Sequence, residues 1–202
     1  ARGVDVSVWQ GTIDWNKVAK SGVKFAICRV SHGTKIKDTQ FKRNWQEIKK
    51  KGLVRGVYQY FIPSQSATQQ ANMLCNAIGK LGPGDLPPVL DVEERAGASP
   101  AQIKKAIETW VKIVKKKTGL APIIYTSPGF WNPLGIKVSG VDLWGRSLGR
   151  QGADPALGLG RLVALADVLD RHGAGHQRKS GHRPVPRDPV RPQEVRREMK
   201  SP

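Results

Sequence analysis

Between residues 3 and 144, apolar positions fall in short continuous runs separated by longer stretches with helical spacing. The runs at 3–9, 24–30, 54–61, 88–92 and 122–126 have strand length. The stretches at 15–21, 39–51, 66–81 and 100–118 recur at three- and four-residue intervals and read as amphipathic helices. Ser99 precedes Pro100, the order of an N-cap followed by a first-turn proline, and Gly119 fits the stop of the same helix. Strict alternation of strands and helices predicts an α/β chain whose parallel sheet is built from right-handed crossovers. A strand such as "FAICRV" is apolar on both faces. That pattern suits a barrel or doubly wound sheet covered on both sides, not a sandwich.

The pattern breaks after residue 144. Residues 145–202 contain no Phe, Tyr, Trp, Ile or Cys, but ten Arg and six Pro. The segment 157–169 has the spacing of a short helix. The rest cannot bury enough apolar surface to offset the entropy of ordering it. The expected organisation is a β/α-barrel domain over 1–144 and a basic Arg/Pro-rich tail over 145–202.

Composition narrows the class. The chain is 39% hydrophobic and 25% charged, enough apolar material for a core. It has no apolar run of about 18 residues, so no transmembrane helix is expected. Two cysteines, Cys28 and Cys75, exclude a disulfide scaffold and a four-cysteine zinc module, and both are expected to be buried and free. The net charge of +18 favours polyanions: nucleic acid, anionic lipid or the anionic polymers of a bacterial wall. The lysines cluster in "EIKKKG" and "VKIVKKKTG", as solvated helix faces do, and no nucleic-acid motif accompanies them.

The candidate chemistry lies in three acids. Asp5 sits in the first strand, and Asp91 and Glu93 end the fourth in "LPPVLDVEE". Residues i and i+2 of a strand share a face, so Asp91 and Glu93 project together. In a parallel barrel the C-terminal strand ends form the reactive face. Two carboxylates in one low-dielectric pocket cannot both ionise cheaply, and one becomes a proton donor. That is what glycosidic cleavage needs: an acid for the leaving oxygen and a carboxylate for the cationic anomeric centre. A D-x-E pair taken alone is equally what a solvated surface pair or a helix-cap acid looks like.

Four motifs, "GVDVSVWQGTIDW", "GVYQYFIP", "PPVLDVE" and "PIIYTSPGFW", stand in an order and at spacings that resemble glycoside hydrolase family 25, the Chalaropsis-type lysozymes or N-acetylmuramidases. The resemblance covers residues 3–144. It implies an irregular TIM-like β/α barrel of five β/α units plus closing strands. It implies a secreted, bacteriolytic peptidoglycan hydrolase that cleaves the β-1,4 bond between N-acetylmuramic acid and N-acetylglucosamine. No metal or organic cofactor is implied. Carried over by position, Glu93 is the general acid, and Asp91 and Asp5 orient the 2-acetamido group and stabilise developing charge. Tyr58, Tyr125 and Trp144 match groove-lining positions, though each is also a plausible core residue. Trp9, Trp15 and Trp45 are expected to pack strand against helix, and Trp131 suits either purpose. His32 stands where family members often carry an acid. If it faces the groove, its titration near neutrality would act on the pH optimum.

The resemblance implies peptidoglycan glycan strands as partner, a monomer, no nucleic acid, no membrane insertion and an extracytoplasmic location; the sequence starts at Ala1 without an apolar leader, as expected if a leader has been removed or the chain trimmed. The alternative is a non-catalytic wall-binding module that keeps groove aromatics and positive charge. Past "VDLW" the expected tryptophan-rich and acidic closing strands are missing or replaced by a disordered tail. Codons exist for residues 145–150 that, read one base later, encode "VAPWGV". Codons for 163–190 read the same way encode "SLWQTSSTGTAPGISGKVDTDRFRGIP". Both strings resemble the missing strands in the right order, so the tail is expected to be in a shifted frame and to leave the chain poorly stable and weakly active or inactive.

Overall fold

The computed structural model describes residues 2–145 and 162–164. Its elements follow in the order β1 (Arg2–Val6), a 3-10 turn (Val8–Gln10), α1 (Trp15–Lys20), β2 (Phe25–His32), β3 (Ile36–Lys37), α2 (Phe41–Lys50), β4 (Val54–Tyr60), α3 (Ala67–Ile78), β5 (Val89–Asp91), α4 (Pro100–Thr118), β6 (Ile123–Thr126), α5 (Pro128–Trp131), a second 3-10 turn (Asn132–Leu134), β7 (Asp142–Gly145) and β8 (Leu162–Ala164). The sheet order is β7-β6-β5-β4-β2-β1-β8, with β3 paired to β2. Strands β1, β2, β4, β5, β6 and β7 run parallel to one another, while β3 and β8 pair antiparallel with β2 and β1. The sheet curls into a half-barrel, the TIM-like α/β arrangement expected from the alternating pattern.

Period-two alternation divides β2 between two cores. Ala26, Cys28 and Val30 face the helices, where they join Val4, Val6, Val57, Leu90 and Ile124. Phe25 and Ile27 face the concave interior with Val89, Ile123 and Tyr125. The interior is tight at its base. A Cβ at Gly3 would run into the Phe25 ring, so only glycine fits there. Both thiols are buried, and burial pushes each up from its ordinary range, leaving inert core residues.

Local signals set the helix ends. Ser99 accepts from the Gln102 N–H while the Gln102 side chain accepts from the Ser99 N–H, a reciprocal capping box in front of Pro100. Gly119 closes α4 in the left-handed region at φ 76°. Ser66 caps α3. Polar groups that enter the helix–sheet layer are paired. Gln59 on β4 donates to the Ser31 hydroxyl and the Gln70 carbonyl, and it accepts from the Trp110 indole at 2.7 Å. One network thereby ties β2, β4, α3 and α4 together.

Two expectations about the tail change. The helix expected over 157–169 is, in its described part, strand β8. It runs antiparallel to β1, pairing Leu162 with Val4 and Ala164 with Arg2. An open strand edge offers unpaired N–H and C=O groups to any short β-capable segment, and Leu-Val-Ala satisfies that demand. One strand therefore lies in the stretch expected to have lost its strands. The remaining tail positions, including the other residues of 157–169, lie outside the described residues. Among the described residues, no helix is long and apolar enough to cross a membrane.

Candidate active site

Register across the sheet builds the site. Tyr60, Asp91, Tyr125 and Trp144 are successive lateral partners on β4, β5, β6 and β7. Aligned residues of parallel strands point to the same face, so these four form one ledge across the concave side. Tyr58 lies two residues before Tyr60 on that face, with Arg29 of β2 and Val89 of β5 as its partners. Asp5 projects from β1 beside Ile27. Together Asp5, Ile27, Tyr58, Val89, Asp91, Glu93, Tyr125 and Trp144 line a cleft of about 120 Å³.

The cleft has an apolar wall and an acidic mouth. Tyr125 and Trp144 meet edge to face, with ring centroids 4.8 Å apart. This pair presents flat apolar surface of the kind that packs on sugar C–H faces. Asp91 is 9% exposed, whereas Glu93 stands in the open. Burial pushes the Tyr58 phenol well above its ordinary range, and the nearby charges of Asp5 and Asp91 push the same way against Arg29. Tyr60 is pushed up to about 12 by burial and then by Glu94, Asp91 and Glu93. Both phenols thus register a negative field within a chain whose net charge is +18. A negative cleft of this kind suits a reaction that develops positive charge.

A second layer holds the mouth in place. Asp38 is buried and accepts from three directions: the Arg29 Nε at 3.0 Å and the Val8 N–H at 2.8 Å on one oxygen, and the Gln40 N–H at 3.0 Å on the other. The chain leaving β1 is therefore fixed to β2 and to the start of α2. Across the next strand, the His32 ring stacks on Tyr60 with centroids 4.4 Å apart.

All six residues singled out from sequence, Asp5, Asp91, Glu93, Tyr58, Tyr125 and Trp144, line this one cleft. Trp15 and Trp45 are buried as expected. Trp9 is not: it is 82% exposed. The reason is local. Ser7 and Gln10 form a capping box that turns the chain into a single 3-10 turn, and the turn carries residue 9 outward. Trp131 packs partly against the outer core. Sequence reasoning missed Tyr60, Arg29 and Asp38. The i+2 spacing in "YQY" would have found Tyr60, since it shares the face of Tyr58. Nothing local marks Arg29 or Asp38, because their pairing joins a strand to a later loop.

Comparisons with known proteins show what the chain is similar to. YegX of Escherichia coli, an uncharacterized protein, is 44% identical over 135 residues, which is 64% of this chain and 49% of that protein. Lysozyme M1 of Streptomyces globisporus is 33% identical over 140 residues, 65% of this chain and 48% of that protein. The chain thus spans about half the length of these curated relatives. The solved muramidase of Trichobolus zukalii superposes with a TM-score of 0.74 at 26% identity, covering 85% of this chain and 96% of the other. The family description for glycosyl hydrolases family 25 matches residues 4–159, well over half of the sequence, and the chain belongs to that family.

Proposed function

We propose that the protein is a peptidoglycan hydrolase of the muramidase type, cleaving β-1,4 bonds between N-acetylmuramic acid and N-acetylglucosamine. The observation that carries this is the convergence of Asp5, Asp91 and Glu93 in one cleft walled by Tyr58, Tyr125 and Trp144. Glu93, at the open mouth, donates a proton to the leaving glycosidic oxygen as the C–O bond breaks. The substrate's acetamido oxygen attacks the anomeric carbon, forming a cyclic oxazolinium. Asp91 and Asp5 orient the acetamido group and balance its positive charge. Water then opens the ring, returning its proton to Glu93. The Tyr58 phenol, held protonated, serves as a fixed hydrogen-bond donor. The enzyme is expected to act as an exported monomer on glycan strands, and its surplus positive charge holds it near anionic wall polymers.

Substituting Glu93→Gln tests this against a wall-binding module without catalysis. Removing a general acid costs about 10²–10⁴ in rate. Turbidity loss of a wall suspension should fall by that factor while retention on sedimented wall persists. Equal lysis by wild type and E93Q would contradict the assignment.

We also propose that the reading frame changes by one base at Trp144/Gly145, so that 145–202 is not the family's native C-terminus. The compositional break and the ordered match of the shifted frame to the missing strands support this. The genomic sequence together with an intact-protein mass decides it. An unambiguous in-frame gene would refute it.

A further inference from the structure

Trp9 is exposed in a way the cleft does not explain. It sits just beyond the C-terminal end of β1, four residues after Asp5, and so on the barrel face that carries the three acids. Exposing a large aromatic forgoes the favourable burial of its apolar surface. A single exposed apolar side chain on a loose loop would need no comment. This one is held firmly. The Ser7–Gln10 capping box closes its turn from both directions. The Val8 N–H is anchored on the buried Asp38 carboxylate, which is in turn paired with Arg29. Arg29 is in turn the lateral partner of Tyr58, which lines the cleft, so the hydrogen bonds that anchor the turn reach the strand beside the cleft. Ile36, another large exposed apolar residue, lies on β3, two residues before that same Asp38.

We propose that Trp9 is a stacking platform for a sugar ring of the glycan strand outside the cleft, an additional carbohydrate subsite on the β1–β2 side. The inference rests on the muramidase reading for the identity of the polymer. A flat indole offers a wide surface to the C–H face of a pyranose, and a turn fixed beforehand loses little entropy on binding. A glycan strand is long, so rings beyond the cleaved bond pass over the barrel rim. The occupant is the sugar backbone, because the site presents an exposed aromatic face on a turn that is already fixed.

The test is retention on purified peptidoglycan, measured as a dissociation constant by sedimentation of the full chain in an E93Q background so that binding is read without cleavage. Trp9→Ala should weaken retention about three- to tenfold, and Trp9→Phe should recover most of it. The thermal midpoints should agree, because the indole buries little. Glycan strands stripped of stem peptides should compete for the wild-type protein and lose that ability against W9A. Unchanged retention of W9A, absence of any retention in the parent chain, competition that requires stem peptides, or a lowered midpoint that accounts for the loss would each overturn the proposal. Lysis by the chain with Glu93 intact is measured alongside. Lysis with unchanged W9A retention sinks only this subsite, whereas no muramic reducing ends from the frame-restored protein sinks the muramidase reading.

Discussion

At the scale of single residues, the cleft combines one exposed acid, one buried acid and phenols that hold their protons. Glu93 can exchange protons with solvent while Asp91 beside it is sheltered. Tyr58 has its ionisation pushed far up, chiefly by burial and then by Asp5, so it stays neutral wherever the enzyme works. Tyr58→Phe should lower kcat/KM on peptidoglycan about 3- to 10-fold, the worth of one hydrogen bond, in a steady-state assay. The pH–rate profile between about pH 4 and pH 9 should keep its shape, because the lost group does not titrate there. A shifted alkaline limb in the variant would show that the phenol does titrate. Sequence exposed the acids because strand ends in an α/β chain are the places where chemistry collects, and "LDVE" has the i+2 spacing that puts two carboxylates on one face. It did not expose Asp38, whose partners Val8 and Arg29 lie 30 and 9 residues away and meet it only in the folded sheet.

At the scale of elements, the capping signals were the most legible feature. Ser99, Pro100 and Gly119 mark both ends of α4 in sequence and do so in the structure. Strand ends were less legible: the run at 3–9 is strand only through Val6, because Ser7 captures the chain in a capping box that hydrophobicity does not reveal. Strand β3 is two exposed residues, too short for any periodicity. The start of β4 is tied down by another buried ion pair. Arg55 on β4 makes two bonds to Asp85, at 3.0 and 2.6 Å, and lies 3.5 Å from the Trp45 ring centroid. Burial would raise the Asp85 carboxyl, but the bonds from Arg55 and the Gly82 N–H, with the charges of Arg55 and Lys49, hold it below its ordinary value of 3.8. A depressed carboxyl contributes stability that is full above the unfolded value and is lost as pH falls through the folded one. Asp85→Asn should therefore be clearly less stable than wild type at neutral pH in urea unfolding. That difference should shrink as the pH is lowered from about 5 to 2. A constant difference across that window would mean the charge of Asp85 contributes nothing.

For the whole molecule, the described sheet ends at β7 on one side and β8 on the other. A half-barrel with an acidic, aromatic-lined concave face explains why strands such as "FAICRV" are apolar on both sides: one side meets helices and the other fills the interior. The class of fold was legible from this alternation. The fate of the C-terminus was not, because 145–202 lacks the aromatic and β-branched pattern that announces strands, and β8 draws its strand character from the open edge of β1. If the frame reading is right, deleting one base at Trp144/Gly145 should raise the thermal midpoint by at least about 10 °C, roughly 3–4 kcal/mol for a chain of this size. Wall lysis should rise with it. Equal midpoints and equal lysis would remove the frame proposal while leaving the site intact.

The most direct test of the central claim is to digest purified peptidoglycan with the chain, reduce the products with borohydride and identify the reduced sugar by mass spectrometry. Convergence of Asp5, Asp91 and Glu93 on a muramidase reaction predicts new muramic acid reducing ends that E93Q fails to produce. New reducing ends on glucosamine, or none at all from frame-restored protein, would contradict it.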